Sequence, residues 1–140
     1  MPPAETIGDP IPRLHAHGGL GTQTGDGMIR RGEIYWVQLD PAIGSEIKKT
    51  RPALVISNNQ NNEFAQTVTL LPITSNVKKI YPFEVFLPKG EGGVDKEGKI
   101  KTDQVRTVDK RRLAGPPLGP TVNAEIIGNV EKALKLHLGL

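Results

Sequence analysis

Arg31-Gly-Glu-Ile-Tyr-Trp-Val-Gln-Leu-Asp-Pro41 and, after a polar turn, Thr50-Arg-Pro-Ala-Leu-Val-Ile-Ser57 are the two runs from which the architecture follows. Glu33 to Leu39 is rich in β-branched and aromatic residues and stops at Asp40-Pro41, with Gly44 just beyond, which reads as a strand. Residues 52–57 form a continuous apolar run closed by Asn58-Asn59-Gln60-Asn61-Asn62, the pattern of a buried central strand. Tyr35 and Trp36 must face opposite sides of the first strand. Trp36 is assigned to the core, which leaves Tyr35 to stack on a ligand or fill a subunit seam.

Working outward, residues 67–74 and 83–87 supply a third and a fourth strand. Residues 88–98 form a Gly-rich, charged connection, and 99–108 a fifth strand. Asp109 to Leu113 reads as a short turn before Gly115-Pro116-Pro117 stops any helix. Only the end of the chain has helical period: Ile127, Val130, Leu134 and Leu138 share a face, with Asn123 as N-cap and Lys132, Lys135 and His137 toward the carboxyl end. Gly128 inside that helix reflects either close packing or tolerance of a poor helix former. The expected fold is mainly β (α+β), a small antiparallel barrel with a C-terminal amphipathic helix and a short helical turn.

At 140 residues, 36% hydrophobic and 24% charged, the chain has room for one domain and not for a two-domain nucleotide enzyme. No apolar run approaches the ~18 residues of a membrane span, and the amino terminus lacks the order of a signal peptide, so a cytoplasmic location is expected. Zero cysteines exclude disulfides, thiolate metal sites and a cysteine nucleophile. Of the 18 basic and 15 acidic residues, Arg13 and the acids Glu5, Asp9 and Asp26 lie in the first 27 positions, leaving 17 basic against 12 acidic, a net of +5, in the rest. That leader holds six Gly and four Pro and no aromatic residue, so residues 1–27 are expected to be a disordered extension and residues 28–140 the folded domain. His15 and His17 within it read as solvated tail side chains.

A basic domain suits an anionic partner, and the bases cluster at Arg30-Arg31, Lys48-Lys49-Thr50-Arg51, Lys78-Lys79 and Lys110-Arg111-Arg112. Pro52 keeps Arg51 extended, which fixes the direction of its guanidinium. If the partner is a nucleic acid that is cut, scattered carboxylates exclude a two-metal scheme, and Asp95 with Glu97, the one close pair, reads as surface charge. The histidines lie near the chain ends, which excludes a two-histidine scheme. RNA alone escapes these limits, because its 2′-hydroxyl is an internal nucleophile. A carboxylate, an arginine and a hydroxyl then suffice, and Glu46, Arg51 and Thr74 are such a set, although spacing does not bring them together.

These residues resemble a known family. The string from Arg31 to Pro41, Gly44-Ser-Glu46 and Lys49-Thr-Arg-Pro-Ala-Leu-Val-Ile-Ser-Asn-Asn59 is similar to the opening of the MazF/PemK toxins of bacterial toxin–antitoxin systems. Pro72-Ile-Thr-Ser75, Tyr81-Pro-Phe-Glu-Val85, Lys101-Thr-Asp-Gln-Val-Arg-Thr-Val-Asp-Lys-Arg-Arg-Leu113 and the closing helix agree in order. The resemblance implies an SH3-like barrel, a homodimer, and a metal-independent endoribonuclease without cofactor. It would cut single-stranded RNA at a preferred sequence, leave a 2′,3′-cyclic phosphate and a 5′-hydroxyl, and so stop translation and growth. It places the essential arginine on Arg51, the hydroxyl on Thr74 and the acid on Glu46, as base or as the group that orients Arg51.

Lys48, Lys49, Lys78 and Lys79 are expected to follow the phosphates, Ser75 to sit beside Thr74, and Gln104 with Arg106 to line the groove from one face of the fifth strand. Asn58 and Asn59 either read base edges or simply turn the chain. The implied partner is an antitoxin whose extended acidic segment occupies the RNA groove. Two other readings stand beside this one: a gyrase-inhibiting barrel of the same superfamily, and a non-catalytic RNA-binding barrel.

Overall fold

The computed structural model describes residues 27–140. Apart from Gly27, the expected leader, with His15 and His17, lies outside the described residues. Seven strands and two α-helices follow in the order β1 (Ile34–Gln38), β2 (Thr50–Val55), α1 (Asn59–Phe64), β3 (Thr67–Thr74), β4 (Glu84–Leu87), β5 (Gly98–Lys101), β6 (Arg106–Asp109), β7 (Leu113–Ala114) and α2 (Ala124–Leu138). Every pairing is antiparallel, in the order β4-β5-β3-β2-β1-β7, with β6 also on β3. A 3-10 turn at Lys110–Arg112 joins β6 directly to β7, so the ring β1, β2, β3, β6 returns to β1 through β7. The fold is mainly β with a closing helix, as the patterning anticipates.

β2 toward its end and the middle of β3 are buried on both faces, which is why their apolar runs are continuous instead of alternating, whereas one face of β1 opens at Trp36 and Gln38. One core fills the ring with Tyr35, Val37, Ala53, Val55, Val68, Leu70, Val108 and Leu113. The other lies between the sheet and α2, with Ile34, Leu54, Leu71, Ile73, Val85, Leu87 and Ile100 against Ile126, Val130 and Ala133. Asn123 caps α2 as expected, its Oδ1 accepting from the Ile126 amide at 2.9 Å. A Cβ at Gly128 would meet nothing within 4 Å, so tolerance and not close packing explains that glycine.

Three expectations are corrected. The fifth strand is not continuous: a 3-10 turn at Thr102–Gln104 separates β5, which pairs the end of β3, from β6, which pairs its start. The Thr102 hydroxyl donates to the Phe83 carbonyl and turns the chain there. The asparagine run is a helix: Asn58 caps α1 by accepting from the Asn61 amide at 2.8 Å, and Asn62 is buried with its Oδ1 accepting from Ser57. Finally, the aromatic assignment is reversed. Tyr35 is 1% exposed and its hydroxyl donates to Glu33 Oε1 at 3.0 Å, whereas Trp36 is 44% exposed.

Candidate active site

Arg51 is the second residue of β2 and Thr74 the last of β3. Ala53 pairs with Pro72, and the same antiparallel register carried two positions further sets Arg51 opposite Thr74 on one face of the strand pair. Here the sheet ends and both side chains are only partly buried. Arg51 Nε donates to the Lys48 carbonyl at 3.1 Å, which holds the guanidinium at the root of the β1–β2 loop. Thr74 Oγ1 accepts from the Asn76 amide at 3.3 Å, which leaves its own proton to donate.

Arg51, Thr74 and Ser75 line a cavity of about 150 Å3. Its other walls come from the opposite face of the pleat: Trp36, which pairs with Pro52 across β1 and β2, then Pro52, Ile73, Val94 and Leu118. Ile73 and Val94 belong to the same core that packs on α2, and Leu118 packs against it. Asp95, Lys96 and Glu97 complete the wall. Their loop is fastened from behind, because a Cβ at Gly93 would lie 2.2 Å from the Leu118 carbonyl oxygen, and Gly93 itself has φ +89°. Glu91 adds two hydrogen bonds, accepting from the Asn123 amide at 3.1 Å and from its Nδ2 at 3.0 Å.

Of the other nominated residues, the loop lysines, Glu46, Gln104 and Arg106 lie on the β1–β2 side or just beyond β3, whereas Asn58 and Asn59 lie past the opposite end of β2. Glu46 is exposed on the β1–β2 loop, where Oε1 accepts from the Ile43 amide at 2.6 Å, and it is not part of the cavity wall. Lys48 and Lys49 are exposed on the same loop; Lys49 takes φ 70° while its amide donates to Asp40 Oδ1 at 3.0 Å. Lys78 and Lys79 are exposed beyond β3, with Lys79 Nζ 5.0 Å from the centre of the Tyr81 ring. Gln104 and Arg106 do not share a strand. Gln104 Oε1 accepts from the Ile47 amide at 3.4 Å, and an Arg106 guanidinium nitrogen donates to the Leu39 carbonyl at 2.7 Å, so both brace the β1–β2 connection. Asn58 and Asn59 are exposed but occupied in capping and in accepting the Arg31 amide at 2.7 Å.

Trp36 and the Asp95–Glu97 wall were not nominated from the sequence. Residue period leaves Tyr35 and Trp36 equivalent, and the available signal was Glu33, two positions before Tyr35 on the same face and able to satisfy a buried phenol. Beside the site, β4 and β5 carry an ionic knot. Glu84 is buried, with Lys101 Nζ at 2.7 Å and Lys99 Nζ at 3.1 Å. Burial pushes its carboxyl up, but the Lys101 ammonium, the Tyr81 amide and the Lys99 ammonium outweigh that and hold it below the usual carboxylate range. Among the described residues, no three His, Cys, Asp or Glu side chains form a group that could hold a metal ion, and no helix is long and apolar enough to cross a membrane.

An arginine and a hydroxyl on one rim, with lysines on the loops either side, can hold a phosphodiester and stabilise added negative charge on it. Endoribonuclease MazF9 of Mycobacterium tuberculosis is 42% identical over 118 residues, covering 81% of this chain and 98% of the relative. The crystal structure of MazF from Deinococcus radiodurans superposes with a TM-score of 0.71 at 31% identity, covering 82% of this chain and 100% of that one. A mycobacterial endoribonuclease solved in complex with its cognate antitoxin gives a TM-score of 0.65 at 25% identity, covering 80% and 96%. The family model for the PemK-like, MazF-like toxin of type II toxin–antitoxin systems matches residues 30–138, and the chain belongs to that family.

Proposed function

We propose that this chain is the toxin of a toxin–antitoxin pair and acts in the cytoplasm as a sequence-specific, metal-independent endoribonuclease on single-stranded RNA, mRNA above all. The observation that carries the reading is the placement of Arg51 opposite Thr74 at the rim of a cavity flanked by basic loops. The ribose 2′-oxygen attacks phosphorus, the bond to the 5′-oxygen breaks, and the products are a 2′,3′-cyclic phosphate and a 5′-hydroxyl. The proton lost by the 2′-hydroxyl goes to a base, and the departing oxygen takes one from an acid. Arg51 remains charged at neutral pH and clamps the phosphate oxygens as negative charge grows. Thr74 donates a hydrogen bond to the same group. Glu46 serves as base or orients Arg51, and either role requires the β1–β2 loop to carry it to the rim.

Lys48, Lys49, Lys78 and Lys79, all exposed, follow the phosphates on either side, and Ser75 adds a hydroxyl at the cavity. Gln104 and Arg106 brace the β1–β2 connection and so shape one side of the groove, whereas Asn58 and Asn59 lie past the other end of β2, where they cap α1 and accept from Arg31. An antitoxin with an extended acidic segment satisfies the same guanidinium and ammonium groups. Self-association is supported by the exposed apolar surface of β4 and the end of α2. There Tyr81 stacks on Phe83, the Phe83 ring lies 6.3 Å from that of His137, and Phe86 and Leu136 share one groove.

The test is incubation of purified protein with a long single-stranded RNA in EDTA, followed by mapping of ends. Cuts at one short repeated sequence, with cyclic phosphate and 5′-hydroxyl termini, are expected. Intact RNA with stalled gyrase would overturn the reading in favour of a gyrase inhibitor, and intact but retained RNA in favour of a binding module.

A further inference from the structure

The cavity behind Arg51 has a shape and charge that phosphate clamping does not explain. Its walls are apolar where they are deepest, at Ile73 and Val94, and at the mouth stands Trp36, the one tryptophan of the chain, left 44% exposed on a strand whose neighbouring side chains are buried. A protein that hides Tyr35 at 1% exposure and leaves the larger, more apolar indole open is keeping that surface for something. An apolar space of roughly 150 Å3 accommodates one benzene-sized ring. Bordering it are Asp95, Lys96 and Glu97, exposed side chains on a loop whose backbone is anchored where Gly93 packs on Leu118, so two carboxylates flank one ammonium at the opening. Two acids near Arg51, with only Lys96 between them, add acceptors that phosphate clamping does not use.

We propose that this cavity is a base pocket of the RNA substrate, which takes one pyrimidine next to the scissile phosphate and selects cytosine over uracil. The inference rests on the endoribonuclease reading above. The base enters between Trp36 and Leu118, its face stacked on the indole as unpaired RNA bases stack on aromatic side chains. Its amino edge meets the carboxylates of Asp95 and Glu97, which accept from the N4 amino group of cytosine. Uracil presents a carbonyl oxygen at that edge and is repelled by the same acids. A single-ring base matches the roughly 150 Å3 of this space. Because Arg51 and Thr74 border the cavity, a base seated there puts its own phosphate at the catalytic rim.

Trp36 makes the test direct, because all indole emission comes from the pocket. Oligonucleotides with a 2′-deoxy sugar at the cut site, which cannot be cleaved, are titrated into the wild-type protein with cytosine or uracil at each flanking position. At one position the cytosine form is expected to quench Trp36 at about tenfold lower concentration than the uracil form. In parallel, cuts are mapped on a randomised RNA pool. The preference for cytosine at that position is expected in the wild type and is expected to collapse toward unity in the Asp95→Asn, Glu97→Gln double variant, whose amides can also donate to a uracil carbonyl. Trp36→Ala is expected to raise KM at least tenfold for the cytosine substrate. RNA cut with no cytosine preference, or a preference unmoved in the double variant, overturns the pocket while the endoribonuclease reading stands. Emission that answers to an acidic antitoxin peptide and to no oligonucleotide gives the pocket to the antitoxin instead. Failure of the wild type to cut any RNA removes both readings.

Discussion

Two basic runs of similar appearance, Lys48-Lys49-Thr50-Arg51 and Lys110-Arg111-Arg112, have opposite fates in this molecule. The second is spent internally. Lys110 is buried with Nζ donating to the Asn62 carbonyl at 2.5 Å, Arg112 donates to the Gln38 and Asp40 carbonyls, and Arg111 pairs with Asp109 at 3.0 Å. These contacts fasten α1 and the end of β1 to the turn that closes the ring. The first run stays at the surface, and of its charges only Arg51 is held, by one backbone carbonyl. Charge density in the sequence therefore does not reveal an anion site. What matters is whether the chain has already supplied the acceptors, and carbonyls left bare at a ring closure supply them to 110–112 alone.

That contrast breaks down if variants in the two runs affect the same property. Arg51→Ala should lower RNA cleavage by about 10²–10³-fold, the scale of losing one donor to developing charge, with the unfolding midpoint nearly unchanged. Lys110→Met should do the reverse, costing about 2 kcal/mol in denaturant unfolding through loss of a buried charged hydrogen bond while the cleavage rate of folded protein holds. Thr74→Ala should slow cleavage at least about tenfold, since one neutral donor is lost beside the intact guanidinium.

The knot on β4 and β5 adds a pH readout that the exposed run cannot give. Glu84 has a lowered folded pKa, so its stabilisation is complete above the ordinary value of 4.5 and disappears as pH falls through the lowered folded value. Unfolding free energy measured from pH 7 into this acid range should fall less steeply in Glu84→Gln than in the wild type. The smallest effect is expected at Gly128, where Ala enters open space within α2. Gly128→Ala should raise stability by about 0.5–1 kcal/mol without altering cleavage, seen as a higher unfolding midpoint.

Legibility in the sequence followed the range of the interactions involved. β1 to β4 and α2 announce themselves because each is a local apolar pattern with a stop signal. α1 does not, since Asn-Gln-Asn-Asn has no apolar period and is held by caps and by burial of Asn62 against Ser57. The break between β5 and β6 depends on Thr102 meeting Phe83, nineteen residues away in sequence. At the site, Arg51 and Thr74 were legible through motif resemblance, and their adjacency follows from strand register. Asp95 and Glu97 read as surface charge and are exposed, but that their loop borders the cavity beside Arg51 follows only from Gly93 packing on Leu118.

Composition and local pattern thus determined a cysteine-free, basic, mainly β fold with a closing helix, and are the source of the proposal that RNA furnishes the nucleophile. Packing alone settled which of two adjacent aromatic residues is buried, which of two basic runs remains open to an anion, and which acids stand beside Arg51. The division has a physical cause. Strand and helix patterns are written into neighbouring residues by backbone geometry, whereas burial and the supply of hydrogen-bond partners depend on segments that meet only when the ring closes.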